Sequence, residues 1–291
     1  MRVHVCMYVC MCMYVCTCTH THTHTHTHTH THTHTHTDFT QLSWAPYECK
    51  ERFFRPEEAA QCLSAKAILF TGDSHMRTFF NSVVKYSCGV PDAAQKGHHT
   101  SQCHTGQKDG GKCGGGVFCL EHNMLGWVDG LHLPERWDYI VANFGHHAAA
   151  GAEHWTLREY RAHVDAFLDA IQMRLQEQTK GGGHAPHGDV TRFVWMASHA
   201  MPLARDNQIK TSGDWRTNQR LALYEHYAQE RFFKMQKELG TARVMYQDAY
   251  NLTIPMIEAA AGDCGHFLPA NIQMALVQQF LNLVCPPSEQ P

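Results

Sequence analysis

The chain has 291 residues and a formal net charge of −3 with histidine neutral. That balance offers no electrostatic reason to expect nucleic acid or an anionic membrane surface as partner. No run of about 18 or more apolar residues occurs, so nothing reads as a bilayer span.

Residues 1–37 stand apart from the rest. Thr-His pairs run from Thr19 to Thr37, preceded by Val-Cys and Met-Tyr pairs from Val3 to Cys16. A repeated purine–pyrimidine dinucleotide, read in frame, encodes all of these pairs, so the segment reads as a translated low-complexity repeat without fixed structure. Alternate histidines can bind transition metals weakly, and Arg2 ahead of an apolar stretch imitates a signal peptide with a poor apolar region. The fold is therefore sought in residues 38–291, one domain with enough chain for a sizeable core.

Taken in chain order, Trp44 to Cys49 is an irregular lead-in, and Pro56 starts a short helix over Glu57–Leu63. Ala67-Ile68-Leu69-Phe70 suits a buried parallel strand. A helix follows over Met76–Tyr86, with Phe79, Phe80, Val83 and Val84 on its apolar side. Residues 87–116 are rich in Gly, Cys, His and Lys and read as a long loop, with His98, His99 and His104 exposed rather than metal-bound. Strands are expected at Val117–Glu121, Tyr139–Asn143, Phe193–Met196 and Arg243–Tyr246. Between them, the capping box Thr156-Leu157-Arg158-Glu159 opens a helix that Gly181 ends, and a second long helix covers Thr217–Leu239 before Gly240. A last helix covers about 269–283. Strands alternating with helices imply a three-layer α/β sandwich around a mostly parallel sheet.

Three short motifs sit where such a sheet places its sites, beyond the carboxyl ends of the strands. Gly72-Asp73-Ser74 lies between the first strand and its helix, where free backbone N–H groups favour negative charge. A serine there suits a nucleophile; equally, Asp73 or Ser74 caps the helix. A hydroxyl needs a base, and the base needs a carboxylate to hold its tautomer. Asp263-Cys264-Gly265-His266 supplies both, unless it is a loop ion pair. Asn143-Phe144-Gly145-His146 closes the third strand, where the Asn143 amide can donate to an oxyanion or serve a turn. Trp195-Met196-Ala197-Ser198-His199 ends the next strand, with His199 either lining an acceptor site or structural. Asp214 and Thr217 read as cap candidates, and Trp127, Trp155 and Trp215 as core more than sugar platforms.

Gly72-Asp73-Ser74-His75-Met76-Arg77 resembles the GDSxxR form of the SGNH hydrolase superfamily. Within it, the chain looks like the PC-esterase group, which includes plant trichome-birefringence-like polysaccharide O-acetyltransferases and the related domain of capsule and sialate O-acetylation proteins. Trp44-x-Pro46-x-x-Cys49, Trp137-Asp138-Tyr139, Asn143-x-Gly145-His146 and Asp263-x-x-His266 have counterparts there. The resemblance covers about residues 44–286. It implies an SGNH or flavodoxin-like fold with Ser74 as nucleophile, His266 as base, Asp263 as orienter and Asn143 with the Ser74 N–H as oxyanion donors. Gly145, Asp73, Arg77 and His146 belong to the same oxyanion and substrate region. Gly116 and Gly126 are candidates for the group's second-block glycine. The expected chemistry is acyl-ester transfer, to a glycan hydroxyl or to water, with no cofactor and no metal. A glycan-binding domain without activity is the alternative.

Eight cysteines lie in the body (Cys49, Cys62, Cys88, Cys103, Cys113, Cys119, Cys264 and Cys285) without the paired spacing of a zinc site. They read as disulfides of a secretory protein, in the Golgi lumen or outside the cell. The Asn251-Leu252-Thr253 glycosylation sequon points the same way.

Overall fold

The structure is a computed structural model. It describes residues 52–90, 102–105, 116–123, 137–150, 155–180, 190–202, 216–258, 266–267 and 270–285. These fall within a single compact unit, Arg52–Pro291. The expected boundary at residues 37 and 38, the Trp44 lead-in, His98, His99, Gly126, Trp127, Asp214, Trp215 and Asp263 lie outside the described residues.

Helix α1 (Pro56–Leu63) leads into β1 (Ala67–Gly72) and α2 (Ser74–Cys88). The chain continues through β2 (Gln102–Thr105), β3 (Val117–His122), β4 (Tyr139–Asn143) and a single turn, α3 (His146–Ala149). Next come α4 (Leu157–Lys180), β5 (Arg192–Met196), α5 (Asn218–Leu239) and β6 (Val244–Gln247). Helix α6 (Ala249–Thr253), a 3-10 turn (Ile254–Met256) and α7 (Ala270–Val284) complete the described chain.

The six strands lie in the order β2-β3-β1-β4-β5-β6. All neighbours are parallel except β2, which pairs antiparallel with β3 at one edge. β4 is buried at every position, and β1 at all but its first, because helices cover both faces. Helices α1, α2 and α7 pack together on one face and α4 with α5 on the other, which makes the three-layer α/β sandwich.

Local sequence accounts for these elements. Thr156 and Glu159 form the reciprocal capping box, with Thr156 N–H to Glu159 Oε2 at 2.6 Å and Glu159 N–H to Thr156 Oγ1 at 3.3 Å. Thr217 Oγ1 caps α5 by accepting from Arg220 N–H at 3.1 Å. On α2, Met76, Phe79, Phe80, Val83 and Val84 form one buried stripe. Phe70, Phe79 and Phe280 meet there at ring-centroid distances of 5.5 to 6.1 Å, joining β1, α2 and α7. Trp155 is half-buried against the core and stacks on His163 at 4.0 Å.

The Trp137-Asp138-Tyr139 segment works at the amino ends of the strands. Asp138 Oδ2 accepts from Ala67 N–H at 2.7 Å, and Tyr139 Oη donates to the Val284 carbonyl at 3.2 Å. Gly116 lies at that edge too. A Cβ there would meet the Leu63 carbonyl oxygen at 2.5 Å, so the glycine serves close packing under α1. This removes Gly116 as a second-block glycine, because the motifs around Ser74 lie at the opposite edge.

A disulfide joins Cys62 in α1 to Cys285 beyond α7, across 223 residues. Cys88 and Cys119 are also disulfide-bonded. Closing so long a loop removes much of the unfolded chain's freedom. The double substitution Cys62→Ser and Cys285→Ser is expected to lower stability by about 2–5 kcal/mol, read as a fall in the denaturant midpoint. The sequon is held inside local structure: Asn251 Nδ2 donates to Asp248 Oδ2 at 2.8 Å, and Thr253 is fully buried with its hydroxyl donating to the Ala249 carbonyl. Among the described residues no helix is long and apolar enough to cross a membrane.

Candidate active site

Setting β2 aside, the five parallel strands follow a second-first-third-fourth-fifth order. In this order the chain leaves β1 toward one side, and after β3 it crosses to the other, so a crevice opens beyond the carboxyl ends of β1 and β4. Gly72 and Asn143 are partners across that gap. A Cβ on Gly72 would collide with the Asn143 carbonyl oxygen and stand 2.8 Å from Met76 Cβ. The Asn143 carbonyl is held in the paired strand β4 and the Met76 Cβ in α2, so Gly72→Ala is expected to cost about 1–3 kcal/mol, read by thermal or denaturant unfolding.

Ser74 is the first residue of α2 and is partly accessible. Asp73 caps the helix, Oδ1 accepting from His75 N–H at 2.8 Å, and is fully buried. The cap frees the Ser74 hydroxyl from that task. His266 Nε2 lies 2.6 Å from Ser74 Oγ, although the two residues are 192 apart in sequence. That is hydrogen-bond distance for a base and its nucleophile. The helix N-terminus beneath the hydroxyl favours the negative charge that forms when its proton leaves.

Three further histidines stand around this pair. The His75 ring stacks on His146 at 3.8 Å and lies 4.6 Å from the His266 ring, centroid to centroid. His75 Nδ1 is 3.0 Å from His199 Nδ1, so one nitrogen carries the proton and the other accepts it. His75, His146 and His199 are buried, and desolvation is the largest cause holding all three below the usual histidine range, His199 at about 3. Neighbouring histidines, and for His75 and His146 the Arg216 charge as well, push the same way. All three are therefore neutral at pH 7. Among the described residues, both ring nitrogens of His146 and Nε2 of His75 and of His199 are buried without a partner.

The remaining motif residues take defined places. Asn143 is fully buried; Nδ2 donates to the Met196 carbonyl at 2.8 Å, which leaves one amide hydrogen uncommitted. Gly145 opens α3, and a Cβ there would strike Ser198 Oγ, so the glycine admits the β5 exit against the β4 exit. Arg77 sits half-buried on the first turn of α2 and makes no ion pair among the described residues. No cluster of three or more metal-ligating side chains is formed among the described residues.

Glu225 was not singled out from sequence. It is buried on α5, with Oε2 accepting from Ser198 N–H at 2.9 Å and Oε1 from Trp195 Nε1 and Tyr246 Oη at 3.1 Å each. Burial pushes its carboxyl up to about 7 against those three hydrogen bonds. A signal for it existed: a carboxylate set inside the apolar stripe of Leu221, Tyr224, Ala228, Phe232 and Met235.

No known family's sequence model matches this chain, and no curated protein matches it. Solved structures similar to it include a lipase/acylhydrolase from Enterococcus faecalis, 13% identical, with a TM-score of 0.42 over 75% of this chain and 95% of that one. A mutant acetyl-xylooligosaccharide esterase from Geobacillus is 12% identical, with a TM-score of 0.40 over 78% of this chain and 97% of that one. Likeness at this level carries no argument about activity; the α/β fold rests on the strand order itself.

Proposed function

We propose that this chain is a serine acyl-ester enzyme whose acyl group passes through Ser74, and that its substrates are O-acetylated glycans. The observation that carries the reading is the 2.6 Å contact between His266 Nε2 and Ser74 Oγ at the switch point of the sheet.

In the first step His266 Nε2 takes the Ser74 proton as Oγ bonds to the ester carbonyl carbon. The tetrahedral oxyanion is held by the Ser74 N–H and the uncommitted Asn143 amide hydrogen. Collapse breaks the ester C–O bond, and the leaving oxygen takes the proton from the imidazolium. In the second step His266 draws a proton from the acceptor hydroxyl as its oxygen bonds to the acyl carbon; collapse breaks the acyl–Oγ bond, and the imidazolium returns the proton to Ser74 Oγ. Asp263 is assigned to orient His266 and stabilise its charge. Arg77 and Gly145 border the substrate side, and His146 supports the floor beneath His75.

With a sugar hydroxyl as acceptor the enzyme is a polysaccharide O-acetyltransferase, the outcome favoured by the likeness of Gly72 to Arg77 and Asn143 to His146 to the PC-esterase group. With water it is an esterase. The Cys62–Cys285 disulfide supports work in the secretory pathway, since such bonds persist in oxidising compartments. Acetate release from a chromogenic acetate ester or acetylated xylan, with and without acceptor sugar, tests the reading. Acetyl appearing on the sugar identifies a transferase, free acetate alone an esterase, and neither product refutes the proposal.

A further inference from the structure

Resting on that reading, we propose that Glu225 is a positioning residue of the catalytic centre: it fixes the exit of β5, and through it both Asn143 and the turn that carries Ser74.

Residues 196–199 touch Asn143, the Phe144–Gly145 exit of β4 and His75 on α2. The Met196 carbonyl accepts from Asn143 Nδ2, the amide assigned to the oxyanion. Ser198 packs where Gly145 leaves room, with its hydroxyl toward the Phe144 carbonyl at 3.5 Å. His199 Nδ1 meets Nδ1 of His75, the residue after the nucleophile, whose ring lies beside His266. A sub-ångström shift of this segment therefore moves the oxyanion donor, the nucleophile and the floor under the base together.

The segment is irregular, so its geometry depends on what its backbone groups bind. Ala197 N–H donates to the Gln247 carbonyl at 2.9 Å and Ala200 N–H to Thr253 Oγ1 at 2.8 Å. Between them Ser198 N–H goes to Glu225. Glu225 is the one acceptor in this set that holds three donors at once: Ser198 N–H, Trp195 Nε1–H and the Tyr246 hydroxyl. Its other oxygen is locked by Trp195 at the end of β5 and Tyr246 on β6, so it cannot swing away. A core carboxylate with no cation on it among the described residues is costly to keep. Apolar residues of like volume would pack α5 at lower cost, so stability alone does not account for it.

The test compares Glu225→Gln with Leu175→Ala, a core truncation on α4 beside the Arg243 guanidinium and away from the crevice. Glu225→Gln keeps the shape but turns an N–H toward donors. Using p-nitrophenyl acetate on the full chain, Glu225→Gln is expected to lower kcat by ten-fold or more with KM within two-fold, while Leu175→Ala at equal or greater loss of Tm keeps its kcat. Equal kcat loss in both variants, or a folded Glu225→Gln within two-fold of wild type, overturns the inference alone. A wild-type protein that neither turns over the ester nor labels with a fluorophosphonate overturns the serine-enzyme reading on which it rests. If Glu225→Gln does not fold, Tyr246→Phe removes one donor from a half-buried position and is expected to lower kcat three- to ten-fold; an unchanged kcat there overturns the inference equally.

Discussion

Ser74→Ala is expected to remove ester turnover by at least about 10³-fold while leaving the fold intact. The hydroxyl sits on the first turn of α2 and contributes no core packing, and the Asp73 cap that starts the helix does not depend on it. His266→Ala should cost about as much, because without Nε2 the hydroxyl keeps its proton. The two effects should not multiply: a nucleophile and its base act as a unit, so the double variant is expected within about ten-fold of either single one. Fluorophosphonate labelling gives a second readout, with label on wild type and none on Ser74→Ala. A folded Ser74→Ala protein that retains more than a few per cent of activity refutes Ser74 as nucleophile.

Acid is expected to unfold the protein steeply. His75, His146 and His199 have folded pKa values held below the unfolded value near 6.5 by burial. Below pH 6.5 the unfolded chain binds protons that these three do not bind in the native state, so native stability falls as pH falls. Glu225 acts in the opposite sense: its folded pKa of about 7 lies above the unfolded 4.5, so between those values the native state holds a proton the unfolded chain lacks. For these four groups, three protons taken up by the unfolded chain against one retained by the native leave two. Near pH 5.5 the slope is then about 3 kcal/mol per pH unit. Against a typical stability of about 5–15 kcal/mol, that unfolds the protein within a few pH units. Urea midpoints at pH 7 and pH 5.5 measure it. His146→Phe removes one depressed group and two buried ring nitrogens without partners among the described residues. It is expected to flatten the slope by about 1.4 kcal/mol per pH unit and to raise stability at pH 7. An unchanged slope would show that His146 is not neutral in the native state.

The parallel strands were legible because each carries a short apolar run, buried at every position in β4, and the long helices because their caps and stripes lie in local sequence. The edge strand Gln102–Thr105 was not: it has no apolar alternation and exists through its pairing with β3. The turns α3 and α6 are too short for periodicity to register. At the site, Ser74 and His266 could be paired from the order of motifs and the rule that places sites at strand ends. The contact of His75 with His199 could not, since it depends on how the exit of β5 lies against the start of α2. Glu225 is intermediate: its place in an apolar stripe was visible, but its partner, a backbone N–H on another element, was not.

The two halves of the reactive pair lie 192 residues apart, and the base comes just ahead of α7. On the proposed reading, a nascent chain thus carries Ser74 without its base until His266 has been made. Competence then waits on the docking of the segment around His266, so a fragment cut short before it is expected to be inert however well its sheet forms.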